Sequence, residues 1–393
     1  LSRTTGTREV CNSRDKAVIA LLEGSVRVVR LAALLFVAFV GSSAAQQPSG
    51  RLAEVGWQAL RDGEAERALS SFREALTLRP GDPTLHIGVG VAEHILGRED
   101  EARKSLERAL KIDPRLSVAS TLLGEIAYRQ GDVDTAIRVY EDAISRNVGD
   151  ARMKARLEEW RMEASMHRGF ESRNDDRFSV MFEGPAEEQL ATRATTVLTA
   201  AFWRIGKGLG QYPSNSISVV LYTQKQFRDI TRAPDWSAGL YDGRIRIPVR
   251  GAEQNLASFD RVLTHELTHA MIANVAPRGV PTWLHEGLAQ HFEQADAAAA
   301  ERRFRATRLF IPLTDLEGGF TELNGSAAVI AYDESFIVVR TLLDRVGTNL
   351  GFLIQDLGAG QTIDQAILRF GITYPEFQDE VIRRLGFRMR QSQ

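Results

Sequence analysis

Five kinds of residue return along this chain at a constant interval, and no other feature narrows what it can fold into as much. Gly56, Gly90 and Gly124 are 34 residues apart, and the same step separates Gly63, Gly97 and Gly131, then Ala68, Ala102 and Ala136, then Phe72, Leu106 and Tyr140, then Ala75, Ala109 and Ala143. A period of this length marks an array of small units, each unable to bury its own apolar face without a neighbour. Three units, over residues 46–150, are near the minimum for an independent array.

The columns resemble the tetratricopeptide repeat. That resemblance implies an all-α solenoid of helix pairs, with small residues where the helices approach and one large apolar residue filling the gap. Pro80 and Pro114 are expected to end the second helices of units one and two, and Val148 takes that place in the third. Residues 151–166 (ARMKARLEEWRMEASM) read as a capping helix, with a linker to 177. Such an array either offers a groove to a peptide or partner protein or braces the domain behind it; both readings stay open. His86, His94 and His167 lack metal spacing and read as packing or surface residues.

Ahead of the repeats, residues 1–45 read as an address rather than a domain. Arg27 and Arg30 precede the apolar run 31–40 (LAALLFVAFV), and small residues from Gly41 to Ala45 follow, the pattern of a cleavable signal peptide. Ten apolar residues fall short of the roughly 20 that span a bilayer, so a permanent anchor is the weaker reading and no stable membrane insertion is expected after cleavage. No methionine precedes Met153, so initiation is expected at a non-ATG codon or downstream of Leu1, and Val26 would give a compact signal peptide. The predicted product is exported, periplasmic or secreted, and membrane-tethered if the leader stays. It would carry no thiol, because the single cysteine is Cys11, so any metal must be held by His, Asp or Glu. With 49 Lys+Arg against 51 Asp+Glu the net charge is −2, which lacks the basic footprint of a nucleic-acid binder.

From 178 onward the pattern becomes α+β: short β-type runs at 178–183, 217–223 and 239–249, with helical stretches at 185–206 and 223–231 between them. Asp242-Gly243 reads as a tight hairpin turn. An apolar helix then carries His265-Glu266-Leu267-Thr268-His269. Residues i and i+4 share a helical face, so the two imidazoles can address one point, and Glu266 can reach a water held there. A second helix, 283–291 (WLHEGLAQH), offers Glu286 as a third ligand, which leaves one tetrahedral position of a Zn²⁺ open. His285 sits about 100° round the helix from Glu286 and reads as a structural or supporting residue.

HELTHAMI followed by VPTWLHEGLAQ resembles the gluzincin metallopeptidases, in particular peptidase MA-like domains attached to tetratricopeptide repeats. Residues 233–248 and the stretch Ala331-Tyr332-Asp333-Glu334-Ser335-Phe336 fit the same family. The resemblance runs from about 178 to 347 and implies a zincin-like metallopeptidase domain, which the helical segments after 344 are expected to complete so that it spans 178–393, with His265, His269 and Glu286 as zinc ligands and Glu266 as general base. It further offers Tyr332 as a donor to the oxyanion, with a packed helix tyrosine as the other reading, and the 239–249 hairpin as an edge for extended substrate or a plain structural hairpin. His291 stands where many relatives carry tyrosine, so no role carries over to it. Ile272 and Val275 stand where a metzincin needs glycine and histidine. The predicted function is an exported zinc peptidase, by default an endopeptidase, whose repeats recruit a partner or substrate. The alternative is a zinc-containing scaffold or protein-binding module of the envelope.

Overall fold

The computed structural model describes residues 48–232, 237–277, 279–307, 309–320, 323 and 325–385. The leader reading therefore lies outside the described residues, as do residues 233–236 of the hairpin approach. The chain forms two compact units that divide between Phe170 and Glu171.

Among its described residues the first unit is built of helices: α1 Pro48–Arg61, α2 Ala65–Leu78, α3 Pro83–Ile95, α4 Glu99–Ile112, α5 Ser117–Arg129, α6 Val133–Ser145 and α7 Ala151–His167. The expected all-α solenoid is what forms, and its columns have direct physical causes. A Cβ on Gly56 would lie 2.7 Å from the Phe72 ring and one on Gly90 2.8 Å from Leu106, while one on Gly124 would strike the Tyr140 ring. Glycine is thus required where the large side chain of the partner helix crosses. The second column, Gly63, Gly97 and Gly131, holds the turn between paired helices at φ of 81°, 72° and 89°. Helices α2 and α4 stop just before Pro80 and Pro114. Asp82, Asp132 and Asp150 cap α3, α6 and α7 by accepting from backbone N–H groups. At the end of the array Trp160 of α7 stacks on Tyr128 at 5.0 Å and packs on Tyr140 at 4.4 Å, closing the third repeat.

The second unit is the mixed helix and strand region. Its strands are β1 Phe170–Asn174, β2 Phe178–Glu183, β3 Ile217–Tyr222, β4 Leu240–Tyr241 and β5 Ile245–Pro248, in sheet order β1-β2-β3-β5-β4. Strands β2, β3 and β5 run parallel, and β4 pairs antiparallel to β5. The near-continuous apolar run of β3 suits a central strand covered on both faces. Helices α8 Glu188–Leu209 and α9 Gln224–Thr231 make the crossovers. The turn after β4 spans three residues, Asp242 to Arg244, with Gly243 at φ 101°. Arg246, wholly buried, holds it from below by donating to Asp242 at 2.9 Å and to the Tyr222 hydroxyl at 2.8 Å. Strand β1 falls in the polar stretch read as a linker; its exposed, charged residues suit an edge strand and give no apolar signal.

The remaining helices are α10 Leu256–Val275, α11 Thr282–Phe292, α12 Ala297–Thr307, α13 Gly325–Val346, α14 Leu350–Gly358, α15 Ile363–Ile367 and α16 Tyr374–Leu385. One core runs from β2 and α8 through Leu263, Leu267 and Met271 of α10 to Leu284 and Leu288 of α11 and Val338 of α13. Among the described residues no helix is long and apolar enough to cross a membrane.

Candidate active site

Helix α10 starts at Asn255, whose side chain accepts from the Ser258 N–H at 3.0 Å. Its core face buries Leu263, Leu267, Ala270 and Met271, which turns Val262, His265, Glu266 and His269 towards an open cleft. Helix α11 is fixed at its first turn by two loop carbonyls: Thr282 N–H donates to Glu317 O and Trp283 N–H to Leu316 O, both at 3.1 Å. Its far side presses on α13 so closely that a Cβ on Gly287 would collide with Ser335 O and Val339. That contact leaves the neighbouring Glu286 facing α10.

These two helices bring three ligand-type atoms to one point. His265 Nε2 and His269 Nε2 are 3.2 Å apart, and Glu286 Oε2 lies 3.6 and 3.5 Å from them. A tetrahedral zinc with bonds of about 2.0–2.1 Å separates its ligands by about 3.3 Å, so the triangle is the right size. Glu286 Oε2 is buried with no hydrogen-bond partner, the condition expected of an oxygen whose partner is a cation. The donor set, two imidazoles and a carboxylate, suits zinc chemistry. Burial alone would raise the Glu286 carboxyl, yet His269 and His265 beside it hold it below the usual carboxylate range. Burial would likewise lower His265, but Glu286 and Glu293 outweigh it and raise it to about 10.

The cleft has a volume of about 270 Å³ and is lined by Leu240, Tyr241, Val262, Phe320 and Tyr332 around Glu266, Glu286 and Glu293. Glu266 is buried against the backbone of residue 239: a Cβ there would sit 2.9 Å from both Cγ and Oε1. Gly239 is therefore what lets the segment entering β4 lie directly on this carboxylate. Tyr332 lines the same cleft, packed edge-on against Phe320 at 5.4 Å, and its backbone oxygen accepts from Gln290 Nε2 at 2.8 Å. His291 does not join the cleft lining; burial, Arg340 and Arg204 lower its pKa.

Sequence reasoning missed Glu293, whose Oε2 lies 3.1 Å from His265 Nδ1. A signal was present, because seven residues complete almost two helical turns, so Glu286 and Glu293 share a face with Gln290 between them. His285, read as a supporting residue, stands with its Nδ1 3.5 Å from His269 Nδ1. Burial first, and then His269, push its pKa down to about 3.

Known proteins divide along the same line as the fold. A sequence model of the peptidase MA superfamily matches residues 197–375, and two tetratricopeptide-repeat models match 56–116 and 94–157. The chain is a tetratricopeptide-repeat protein with a peptidase MA-superfamily domain. Among curated proteins, mouse interferon-induced protein with tetratricopeptide repeats 3 is 31% identical over 107 residues, 26% of this chain and 27% of that protein. The heat-shock protein cognate (HSC) co-chaperone sgt12 of Aspergillus fumigatus is 29% identical over 146 residues, 34% of this chain and 43% of that protein. The chain thus spans about a quarter and under half of these relatives. The Sgt2 TPR domain from Aspergillus fumigatus is a structural neighbour at 29% identity and a TM-score of 0.30, over 34% of this chain and 91% of that one. The TPR2AB domain of yeast Sti1 in complex with pHSP90 has 15% identity and a TM-score of 0.29, over 73% and 96%.

Proposed function

We propose that this peptidase MA-superfamily domain is a zinc-dependent endopeptidase, with His265, His269 and Glu286 holding the metal and Glu266 as general base. The observation that carries the reading is the triangle of two Nε2 atoms and an orphaned Glu286 oxygen, beside a second buried glutamate in an open cleft. When bound, zinc supplies a Lewis acid that polarises a carbonyl and makes water nucleophilic near neutral pH.

The chain's own groups supply the remainder. Glu266 takes a proton from the attacking water as the new C–O bond forms and delivers it to the leaving nitrogen as the C–N bond breaks. Tyr332 donates to the carbonyl oxygen as negative charge collects there. Gly239 keeps the segment entering β4 against Glu266, and β4, at the sheet edge, pairs with extended substrate. Leu240, Val262 and Phe320 exclude water around the reacting bond. The repeats present a surface for a substrate protein or partner, and the leader sends the protein out of the cytoplasm.

The test is cleavage of a diverse peptide library by the zinc-loaded protein, with metal content measured on each variant. Glu266→Gln should lower turnover at least about 100-fold and retain zinc. Glu286→Ala should lose both. A Glu286→Ala protein with full zinc and activity would overturn the ligand set. A zinc-loaded wild type that cuts nothing would favour the scaffold reading.

A further inference from the structure

Two side chains outside the ligand triangle touch the far nitrogens of the two histidines, and they are chemically unlike. His265 Nδ1 meets the carboxylate of Glu293 at 3.1 Å, and His269 Nδ1 meets the imidazole of His285 at 3.5 Å. An ionised carboxylate only accepts, so the Glu293 contact requires the His265 proton on Nδ1. In the neutral imidazole, the form that can ligate a metal, that leaves the lone pair on Nε2, the atom aimed at Glu286 and His269. For His269 to present Nε2 in the same way, its proton too must sit on Nδ1. His285 must then accept at its own Nδ1 and carry its proton on Nε2.

We infer that Glu293 and His285 are positioning residues that hold the two histidines in the metal-binding tautomer, and that they do so unequally. Glu293 brings negative charge to His265 and makes it the stronger donor; His285 orients His269 without adding charge. Such outer partners fix ring orientation and ligand basicity, and their loss typically costs about 10- to 100-fold in metal affinity. The helix supplies both from one short segment, because His285 precedes Glu286 and Glu293 follows it by two turns. This inference rests on the proposed ligand triangle.

The test uses the full chain and zinc alone, by competition with a chromophoric chelator, together with the visible spectrum of the Co²⁺-substituted protein. Glu293→Leu, which removes acceptor and charge, is expected to weaken zinc binding by roughly 10- to 100-fold. Glu293→Gln, which retains an acceptor oxygen, should fall between it and wild type. His285→Phe should lose less than Glu293→Leu. The Co²⁺ bands should shift in each variant, a change that loss of packing alone would not produce. Melting of the zinc-free proteins should be nearly unchanged for Glu293→Gln, which keeps the series interpretable if His285→Phe folds poorly. Wild type that binds one zinc, with Glu293→Leu within twofold of it, would overturn this inference and leave the ligand triangle standing. Wild type that takes up no zinc would overturn both.

Discussion

Glu334 shows what burial does to a single carboxyl on the helix that lines the cleft. It is wholly buried two residues beyond Tyr332; Oε2 accepts from the Ile311 N–H at 3.1 Å and Oε1 has no partner. Burial, only partly offset by that N–H, raises its pKa from 4.5 to about 8. Between those values the folded chain keeps a proton that the unfolded chain releases. Its contribution to stability therefore falls as pH rises across that window, by at most about 1.4 kcal/mol per pH unit. Glu334→Gln should flatten the slope, so its urea midpoint gains on wild type at pH 8 and not at pH 4.5; parallel curves would show that the group is ionised throughout. Nothing local in the sequence marks Glu334, because helical spacing says which residues share a face and not what covers them. His265 and His269, the proposed metal ligands, are the opposite case, because the i,i+4 spacing alone places both on one helical face.

Among elements, the repeat helices have their register set by contacts 16 residues apart, within one helix pair: Gly56 with Phe72, Gly90 with Leu106 and Gly124 with Tyr140. Alanine in place of a helical glycine ordinarily gains up to about 1 kcal/mol. At Gly124 the added methyl meets the Tyr140 ring, which is backed by Trp160, and overpacking costs about 1–3 kcal/mol. Gly124→Ala should therefore be net destabilising in thermal melts, whereas Gly81→Ala, with open space around it, should be neutral or better. Equal melting of the two would disprove the packing argument. Strand β1 lacked any comparable signal, since polar residues at a sheet edge look like a loop until the neighbouring strand is known.

At the scale of the whole chain, each unit buries a core of its own. Zinc at about 100 times its dissociation constant should stabilise the unit that binds it by about 2.7 kcal/mol. Hydrogen exchange should then slow in α10 and α11, which hold the proposed ligand triangle, and stay unchanged in α1 to α6. Slowing in the repeats instead would place the metal elsewhere. What the sequence determined by itself was whatever depends on neighbours along the chain: the 34-residue period, the paired helices, and two histidines and a glutamate on one helical face. Tertiary structure alone decided the order β1-β2-β3-β5-β4, the seating of Gly239 on Glu266, and the unlike partners of the two histidines. Those depend on how α10, α11 and the sheet pack, and long-range packing answers to shape and burial summed over many residues, which no local period records.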